Sequence, residues 1–277
     1  MVELRGEDIE DVRARVAQLT EDLEAAGLGY HFPVLEGEDM NRIWELRKAG
    51  LGLLSNMPGD AKPVAVIEDA AVRPEDLPAY IAEVGATMKE RFGLDLVHYA
   101  HAGSGELHLR PIIDLKTREG NRLFREVAQA VAEIVKKYRG SLSGEHGDGR
   151  LRGEFIPLIV GERNFRLFRE VKALWDPNGV FNPGKIVDTP VMNESLRYRP
   201  GQETRELKTW FRFDETRGYL RAAEMCNGSG DCRKTHLSGG TMCPSYMATR
   251  DEKDSTRARA NILRNVLTGS TAENPFD

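Results

Sequence analysis

The sequence predicts an α+β fold in which a mixed or antiparallel sheet carries helices on one face. Segments with helical apolar spacing alternate with short strand-like segments, and after the first helix their order is β-α-β-α-β-β-α. A Gly-Ser-Gly turn at 103–105 joins two strands as a tight hairpin, which argues against a Rossmann fold. With 277 residues, 40% hydrophobic and 30% charged, the chain has the composition of one large globular domain or two smaller ones.

Apolar residues at helical spacing, in several cases followed by a glycine, predict five helices. These helices span residues 7–26, 38–54, 74–92, 118–139 and 161–174. The clearest is 118–139, where Leu123, Val127, Val131 and Ile134 fall on one face. The intervening strands are expected at residues 30–35, 63–67, 94–101 and 106–114.

Two turn-forming segments, 176–179 and 181–184, follow the last of these helices and predict a domain end. We therefore expect a first domain at 1–188, a polar linker at 189–215 and a small cysteine-bearing, mainly helical region at 216–277.

Charge and hydropathy exclude several classes of protein. The formal net charge is −5, and no basic stripe would neutralise the phosphates of a nucleic acid or hold an anionic membrane. No apolar run approaches the ~20 residues of a membrane span. The N-terminus reads as a charged amphipathic helix rather than a signal peptide, so we expect a cytoplasmic protein.

Three histidines and a glutamate occupy two short glycine-rich segments. His101 and His108 flank the hairpin turn, while Glu145 and His146 lie in Gly144-Glu-His-Gly-Asp-Gly149. His101, His108 and Glu145 would give a divalent metal two nitrogens, one oxygen and an open position, which suits catalytic zinc and also admits Mn²⁺ or Co²⁺. His146 is then a candidate proton acceptor.

The other histidines are given structural roles, which is the ordinary reading of a lone histidine; they are His31 and His98. The glycines of the two segments do not open a helix after a strand, so a nucleotide-binding interpretation is set aside.

The three cysteines, Cys226, Cys232 and Cys243, are clustered and odd in number, which favours metal or cluster ligation over disulfides. Cys243 precedes Pro244, as in bacterial ferredoxin runs. A 4Fe-4S cluster normally takes four thiolate ligands, and these cysteines supply three. The fourth ligand could lie beyond Asp277, or His236 could complete a Cys₃His zinc site; unligated thiols are the third alternative.

Three motifs in order resemble the C-terminal substrate domain of FAD-linked oxidases, a family that includes D-lactate, glycolate and D-2-hydroxyglutarate dehydrogenases. They are His101-Ala-Gly-Ser-Gly-Glu-Leu-His108, Gly144-Glu-His-Gly-Asp-Gly149 and Trp175-Asp-Pro-Asn-Gly-Val-Phe-Asn182-Pro-Gly-Lys185. The resemblance covers roughly residues 1–188. The cysteine-bearing tail is similar to the start of the iron–sulfur region in large flavin and iron–sulfur members.

The resemblance implies that the metal binds the carboxylate and 2-hydroxyl of a 2-hydroxy acid, while His146 takes the hydroxyl proton and a hydride passes to FAD. It also implies that Arg47 and Lys62 grip substrate carboxylates. Arg110, beside the second histidine where relatives often carry Asn, is a further substrate-binding candidate. Asn182 matches a position near the flavin.

No segment of this sequence matches the N-terminal FAD-binding domain of the family. We therefore expect a fragment or one subunit of a split enzyme, which needs a flavin-binding partner and an electron acceptor. The alternative from the residues alone is a stand-alone metal protein, either a hydrolase with His146 as base or a non-catalytic metal-binding module.

Overall fold

The computed structural model describes residues 1–238 and 242–269, without the side chains at 51, 54 and 55. The chain divides into two compact units, Met1–Leu51 and Gly52–Asp277. In the first unit, α1 spans Ile9–Ala25, and the side chain of its N-cap residue Asp8 accepts a hydrogen bond from the backbone of Asp11 at 2.8 Å. The second helix, α2, spans Glu38–Ser55 and runs into the second unit.

The strand predicted at residues 30–35 does not form. This segment has no regular structure, and Tyr30 is wholly exposed. An extended segment gains stability only from pairing with a neighbouring strand, and no strand of the described residues pairs with this one.

The second unit contains a four-stranded antiparallel sheet. Its strands are β1 at Lys62–Pro63, β2 at Ile67–Ala71, β3 at Leu96–His101 and β4 at Glu106–Ile113. Strand β4 pairs with each of the other three. His108 is the register partner of both Glu68 in β2 and Tyr99 in β3, so it lies in the middle of the sheet.

The strand predicted at 63–67 is wrong in its position, because most of this segment is the turn between β1 and β2. Val64 and Val66 are buried, and the backbone N–H of Val66 donates to the carbonyl of Val64 at 2.9 Å. Alternating burial in a tight turn imitates the period of two that marks a strand.

The helices of the second unit are α3 at Leu77–Ala86, α4 at Arg118–Lys137, α5 at Ile156–Val160, α6 at Glu162–Trp175, α7 at Tyr219–Glu224, α8 at Pro244–Thr249 and α9 at Thr256–Gly269. The core joins the buried faces of α3 and α4 to Leu107 and Leu109 of β4. Each fully buried aliphatic side chain contributes about 1.5–3 kcal/mol. The predicted α+β class is confirmed.

Successive side chains of β4 point to opposite faces of the sheet, and this alternation determines where the candidate site residues lie. Leu107 and Leu109 point into the core, so Glu106, His108 and Arg110 share the opposite face of the sheet. The helix-covered face stabilises the sheet, and the other face carries polar side chains.

Residues beyond 188 contribute to a buried ionic network in this unit. The ammonium of Lys116 donates at 2.7 Å to each of Asp60, Thr204 and Glu224. The predicted boundaries at 188 and 215 remain predictions. Across the described parts of the chain, we find no helix with the length and apolar character needed to cross a membrane.

Candidate metal and proton-transfer site

A tight hairpin brings His101 and His108 to the same face of the sheet. His101 ends β3 opposite Glu106, and a short 3₁₀ turn at Ala102–Ser104 leads into Gly105. Gly105 has φ 76°, and a Cβ atom there would lie 1.9 Å from the carbonyl oxygen of Val72. Only glycine fits this approach, so the turn that aligns the two imidazoles depends on it.

The second glycine-rich segment follows α4 in the chain and lies beside the hairpin. Oε1 of Glu145 lies 3.5 Å from Nε2 of His101 and 3.6 Å from Nε2 of His108. Nε2 of His146 lies 3.1 Å from the same oxygen. The structure therefore brings together all four residues that the sequence singled out for metal binding and proton transfer.

Sequence reasoning missed Glu106, which joins this group. Its Oε1 lies 3.7 Å from Nε2 of His108, and one donor atom from each of His101, Glu106, His108 and Glu145 lies within 4.8 Å of the others. The period of two in β4, which places Glu106 beside His108, was the signal that could have found it.

The chemistry of these donors fits a divalent cation. Glu106 and His108 are each 5% exposed, and within the described residues Oε1 of Glu106 has no hydrogen-bond partner. Buried polar atoms are normally paired, because leaving them unpaired is unfavourable. Nitrogen and carboxylate donors in this number suit zinc or manganese.

The pKa shifts of the buried groups also favour a bound cation. Burial lowers the pKa of His108 and so favours the neutral imidazole, which is the ligating form. Burial, together with the neighbouring carboxyls of Asp69 and Glu145, raises the pKa of Glu106 to about 7. Three carboxyl groups so close together disfavour one another's charge, and a bound cation would relieve that repulsion.

His146 has the exposure that a proton-transfer group needs. Its ring stacks on that of His108 with centroids 5.5 Å apart and planes inclined by 12°. The side chain is 48% exposed, so the imidazole can exchange a proton with solvent or substrate.

A second residue that sequence reasoning missed is Asp69, which is fully buried below the Glu145–His146 loop. Burial raises the pKa of its carboxyl, but hydrogen bonds from Ser143 and from the backbone of the loop outweigh burial and lower it to about 2. Asp69 is therefore an ionised, buried acceptor for this loop.

The predicted substrate-binding residues do not form a cluster like that of His101, His108 and His146. Arg110 shares the site's face of β4 but forms a close ion pair with Glu68, which compensates its charge. Lys62 donates to the carbonyl of Met57 and lies 3.7 Å from the sulfur of Met225, and its burial lowers its pKa.

Two further predicted residues lie on other elements. Arg47 belongs to α2 in the first unit, where its guanidinium lies 5.5 Å from the ring centroid of Trp44. Asn182 is exposed in the turn after α6 with φ 48°, a left-handed conformation that asparagine tolerates.

All three cysteines are free thiols, with Cys232 and Cys243 buried and Cys226 partly exposed. Hydrogen bonds from the backbone of Tyr246 and from Thr256 lower the pKa of Cys243 to about 7. In the described portion of the chain, none of the groups whose donor atoms could share a metal ion includes a cysteine. Cluster binding by these residues therefore remains a prediction.

Comparison with known proteins agrees with the predicted resemblance. The sequence matches the family described as FAD linked oxidases, C-terminal domain, over residues 1–186. It is 34% identical over 280 residues to the D-2-hydroxyglutarate dehydrogenase of Pseudomonas putida, covering 96% of this chain and 26% of that protein. The Escherichia coli D-2-hydroxyglutarate dehydrogenase is also 34% identical, with 96% and 26% covered.

A more distant relative is the D-lactate dehydrogenase of Archaeoglobus fulgidus, which is 32% identical over 151 residues, or 54% of this chain and 31% of that protein. The chain thus spans about a quarter of the length of the two D-2-hydroxyglutarate dehydrogenases.

Proposed function

This chain belongs to the FAD-linked oxidase C-terminal domain family, and on that basis we propose that it is the substrate-binding part of an FAD-dependent D-2-hydroxy acid dehydrogenase. The observation that carries the proposal is the convergence of His101, His108 and Glu145, with His146 3.1 Å from the shared carboxylate oxygen. The substrate class is a 2-hydroxy acid of the D-2-hydroxyglutarate or D-lactate type.

His101, His108 and Glu145 would hold the divalent metal, and Glu106 lies close enough to add a second carboxylate. When bound, the metal supplies Lewis acidity that makes the 2-hydroxyl of a substrate more acidic. The buried imidazole of His108 stays neutral, because burial lowers its pKa. The more exposed Glu145 and His101 form the side of the site that a substrate can reach.

His146 would accept the proton of the substrate's 2-hydroxyl at Nε2. The oxidation removes that proton and the hydride from C2, which together leave a 2-oxo acid. FAD, when bound, supplies the hydride acceptor. Nε2 of His146 lies 3.1 Å from Oε1 of Glu145, which places this imidazole directly beside the proposed metal ligands.

Arg47, Lys62 and Arg110 remain proposed carboxylate-binding residues. Arg110 can serve only if its ion pair with Glu68 is shared or opened, because that pair already compensates its charge. Lys62 already donates to a backbone carbonyl. For Lys62 and Arg110, substrate binding would therefore exchange existing contacts for new ones.

Three further parts of the proposal concern the rest of the enzyme. Asn182 would lie near the flavin, which a separate FAD-binding domain or subunit would carry. Cys226, Cys232 and Cys243 would begin an iron–sulfur region that passes electrons to an acceptor. The domain limits of 1–188, 189–215 and 216–277 are proposed with them.

Metal content and substrate binding test the proposal on the 277-residue chain. We expect about one equivalent of zinc or manganese in wild type, and its loss in a His101→Ala/His108→Ala variant. A His31→Ala/His98→Ala variant, which removes two histidines outside the site, is the matched control and should retain the metal. Calorimetric titration should show that D-2-hydroxyglutarate or D-lactate binds only to the metal-loaded chain.

Two results would contradict this function. One is the absence of metal, or its persistence after His101 and His108 are removed. The other is cleavage of esters, phosphates or peptides by the metal-loaded chain at enzymatic rates, which would instead favour a hydrolase.

A further inference from the structure

Asp69 occupies an unusual place in β2. The register with β4 passes from Glu68 opposite His108 to Ala70 opposite Leu107, so Asp69 is the extra residue of a bulge. Its φ is 86°, a left-handed conformation that is uncommon for a residue other than glycine. A bulge redirects a side chain, and backbone strain of this kind persists only where the surroundings hold it.

The carboxylate of Asp69 accepts hydrogen bonds from the loop that carries Glu145 and His146. Oδ1 accepts from the backbone N–H groups of Gly144 at 3.2 Å and Glu145 at 2.8 Å. Oδ2 accepts from the backbone N–H of His146 at 3.1 Å and from the hydroxyl of Ser143. Four donors of one loop thus converge on a single fully buried side chain.

Arg152 completes the arrangement from the other end of the loop. Its Nη2 donates to Oδ2 of Asp69 and to the carbonyl of Gly147, both at 3.0 Å. Its Nη1 donates to the carbonyl of Glu68 at 2.7 Å. The guanidinium therefore compensates the buried charge and ties the loop to β2 a second time.

We propose that Asp69 is the positioning residue that sets Glu145 and His146 against the histidines of the hairpin, an inference that rests on the metal site proposed above. The donor atoms of Asp69, Glu145 and His146 lie close enough to share an ion, but both oxygens of Asp69 already accept hydrogen bonds from the loop and from Arg152, so its role would be to hold the loop. It acts by fixing the backbone from which Glu145 reaches His101 and His108 at 3.5 and 3.6 Å.

The position requires a carboxylate rather than an amide. Oδ1 receives two donors and Oδ2 receives three, and an ionised carboxylate only accepts. In an Asp69→Asn variant, either orientation of the amide turns its NH₂ towards at least two donors. The loop must then move, and Glu145 moves with it.

Mn²⁺ titration of the 277-residue chain, followed by the electron paramagnetic resonance signal of the free ion, tests this inference. Mn²⁺ is chosen because it prefers nitrogen and oxygen ligands to thiolates. We expect Asp69→Asn to weaken Mn²⁺ binding by about tenfold or more, as loss of a residue that orients metal ligands typically does.

The matched control is Asp60→Asn. Asp60 also accepts several donors, from Lys116, Thr204 and Arg221, but these belong to the ionic network beyond the site. Both variants should unfold at lower denaturant concentrations, whereas Mn²⁺ affinity should stay within about twofold of wild type only in Asp60→Asn.

The outcomes separate this inference from the proposed function. Wild-type Mn²⁺ affinity in folded Asp69→Asn overturns the positioning role alone. If that variant does not fold, Ser143→Ala, which removes one donor, decides: an affinity about threefold weaker supports the role, and an unchanged affinity overturns it. A wild-type chain that binds no Mn²⁺ overturns the proposed function and this inference with it.

Discussion

Replacing Lys116 with methionine should strongly destabilise the second unit. The Lys116 side chain is 4% exposed, and its ammonium is 2.7 Å from oxygens of Asp60 and Glu224. Methionine keeps most of the apolar stem but removes the charge. Breaking a buried ion pair by removing one partner costs about 3–5 kcal/mol, because the other charge stays buried without compensation.

The two carboxylates do not share this cost equally. Asp60 keeps Arg221, whose Nη2 lies 2.6 Å from its Oδ2. The Glu224 side chain is 3% exposed, and its Oε1 already lacks a hydrogen-bond partner among the described residues. Most of the lost stability therefore comes from Glu224, and a Lys116→Met/Glu224→Leu variant should recover the larger part of it.

Urea unfolding followed by far-ultraviolet circular dichroism measures these differences. Lys137→Met is the control, because Lys137 pairs with Glu83 at the surface and should change stability little. A loss below about 1 kcal/mol in Lys116→Met, or a double variant no more stable than the single one, would refute the reasoning.

Three more outcomes follow from the structure. Burial alone would raise the pKa of Asp60, but hydrogen bonds from Arg221, Lys116 and Thr204 outweigh burial and bring the pKa well below its usual value. The stability that results is fully present above the pKa of the unfolded chain, about 4, and is lost as the pH falls below that value. Unfolding measured from pH 6 to pH 2 should show this loss, and Asp60→Asn should flatten it. Glu106→Gln should weaken Mn²⁺ binding by about ten- to a hundredfold in an equilibrium titration, because the substitution removes a carboxylate beside the proposed metal site. Gly105→Ala should lower the free energy of unfolding by about 2 kcal/mol or more, because of its φ of 76° and the carbonyl 1.9 Å from the added Cβ.

One experimental result would contradict each of these three predictions. An acid transition with the same slope in Asp60→Asn would remove Asp60 from the explanation of acid stability. Unchanged Mn²⁺ affinity in Glu106→Gln would exclude that carboxylate from the metal site. A Gly105→Ala variant as stable as wild type would mean that the hairpin tolerates a side chain at its turn.

Local patterns predicted the parts of the fold whose signals are local. The apolar face of α4 and the Gly-Ser-Gly turn of the hairpin depend on residues a few positions apart, and both are present in the structure. The segment 63–67 misled because two buried valines in a turn alternate as strand residues do. The run at 30–35 has strand composition but no partner strand.

The sequence also identified His101, His108, Glu145 and His146 as a group, because metal-binding side chains in glycine-rich segments are conspicuous. It did not identify Glu106 or Asp69. Acidic residues are common, and nothing near Asp69 in sequence shows that a loop more than seventy residues later will donate four hydrogen bonds to it.

The sequence by itself determined the α+β class, the hairpin and the identity of the candidate ligands, since spacing and residue type act over short distances. Only the tertiary structure decided which carboxylates join them, that Arg110 is paired with Glu68, and that Lys116 connects Asp60, Thr204 and Glu224. Burial and charge compensation arise from residues far apart in the chain, so their effects appear only when the sheet, the loop and the later helices have packed together.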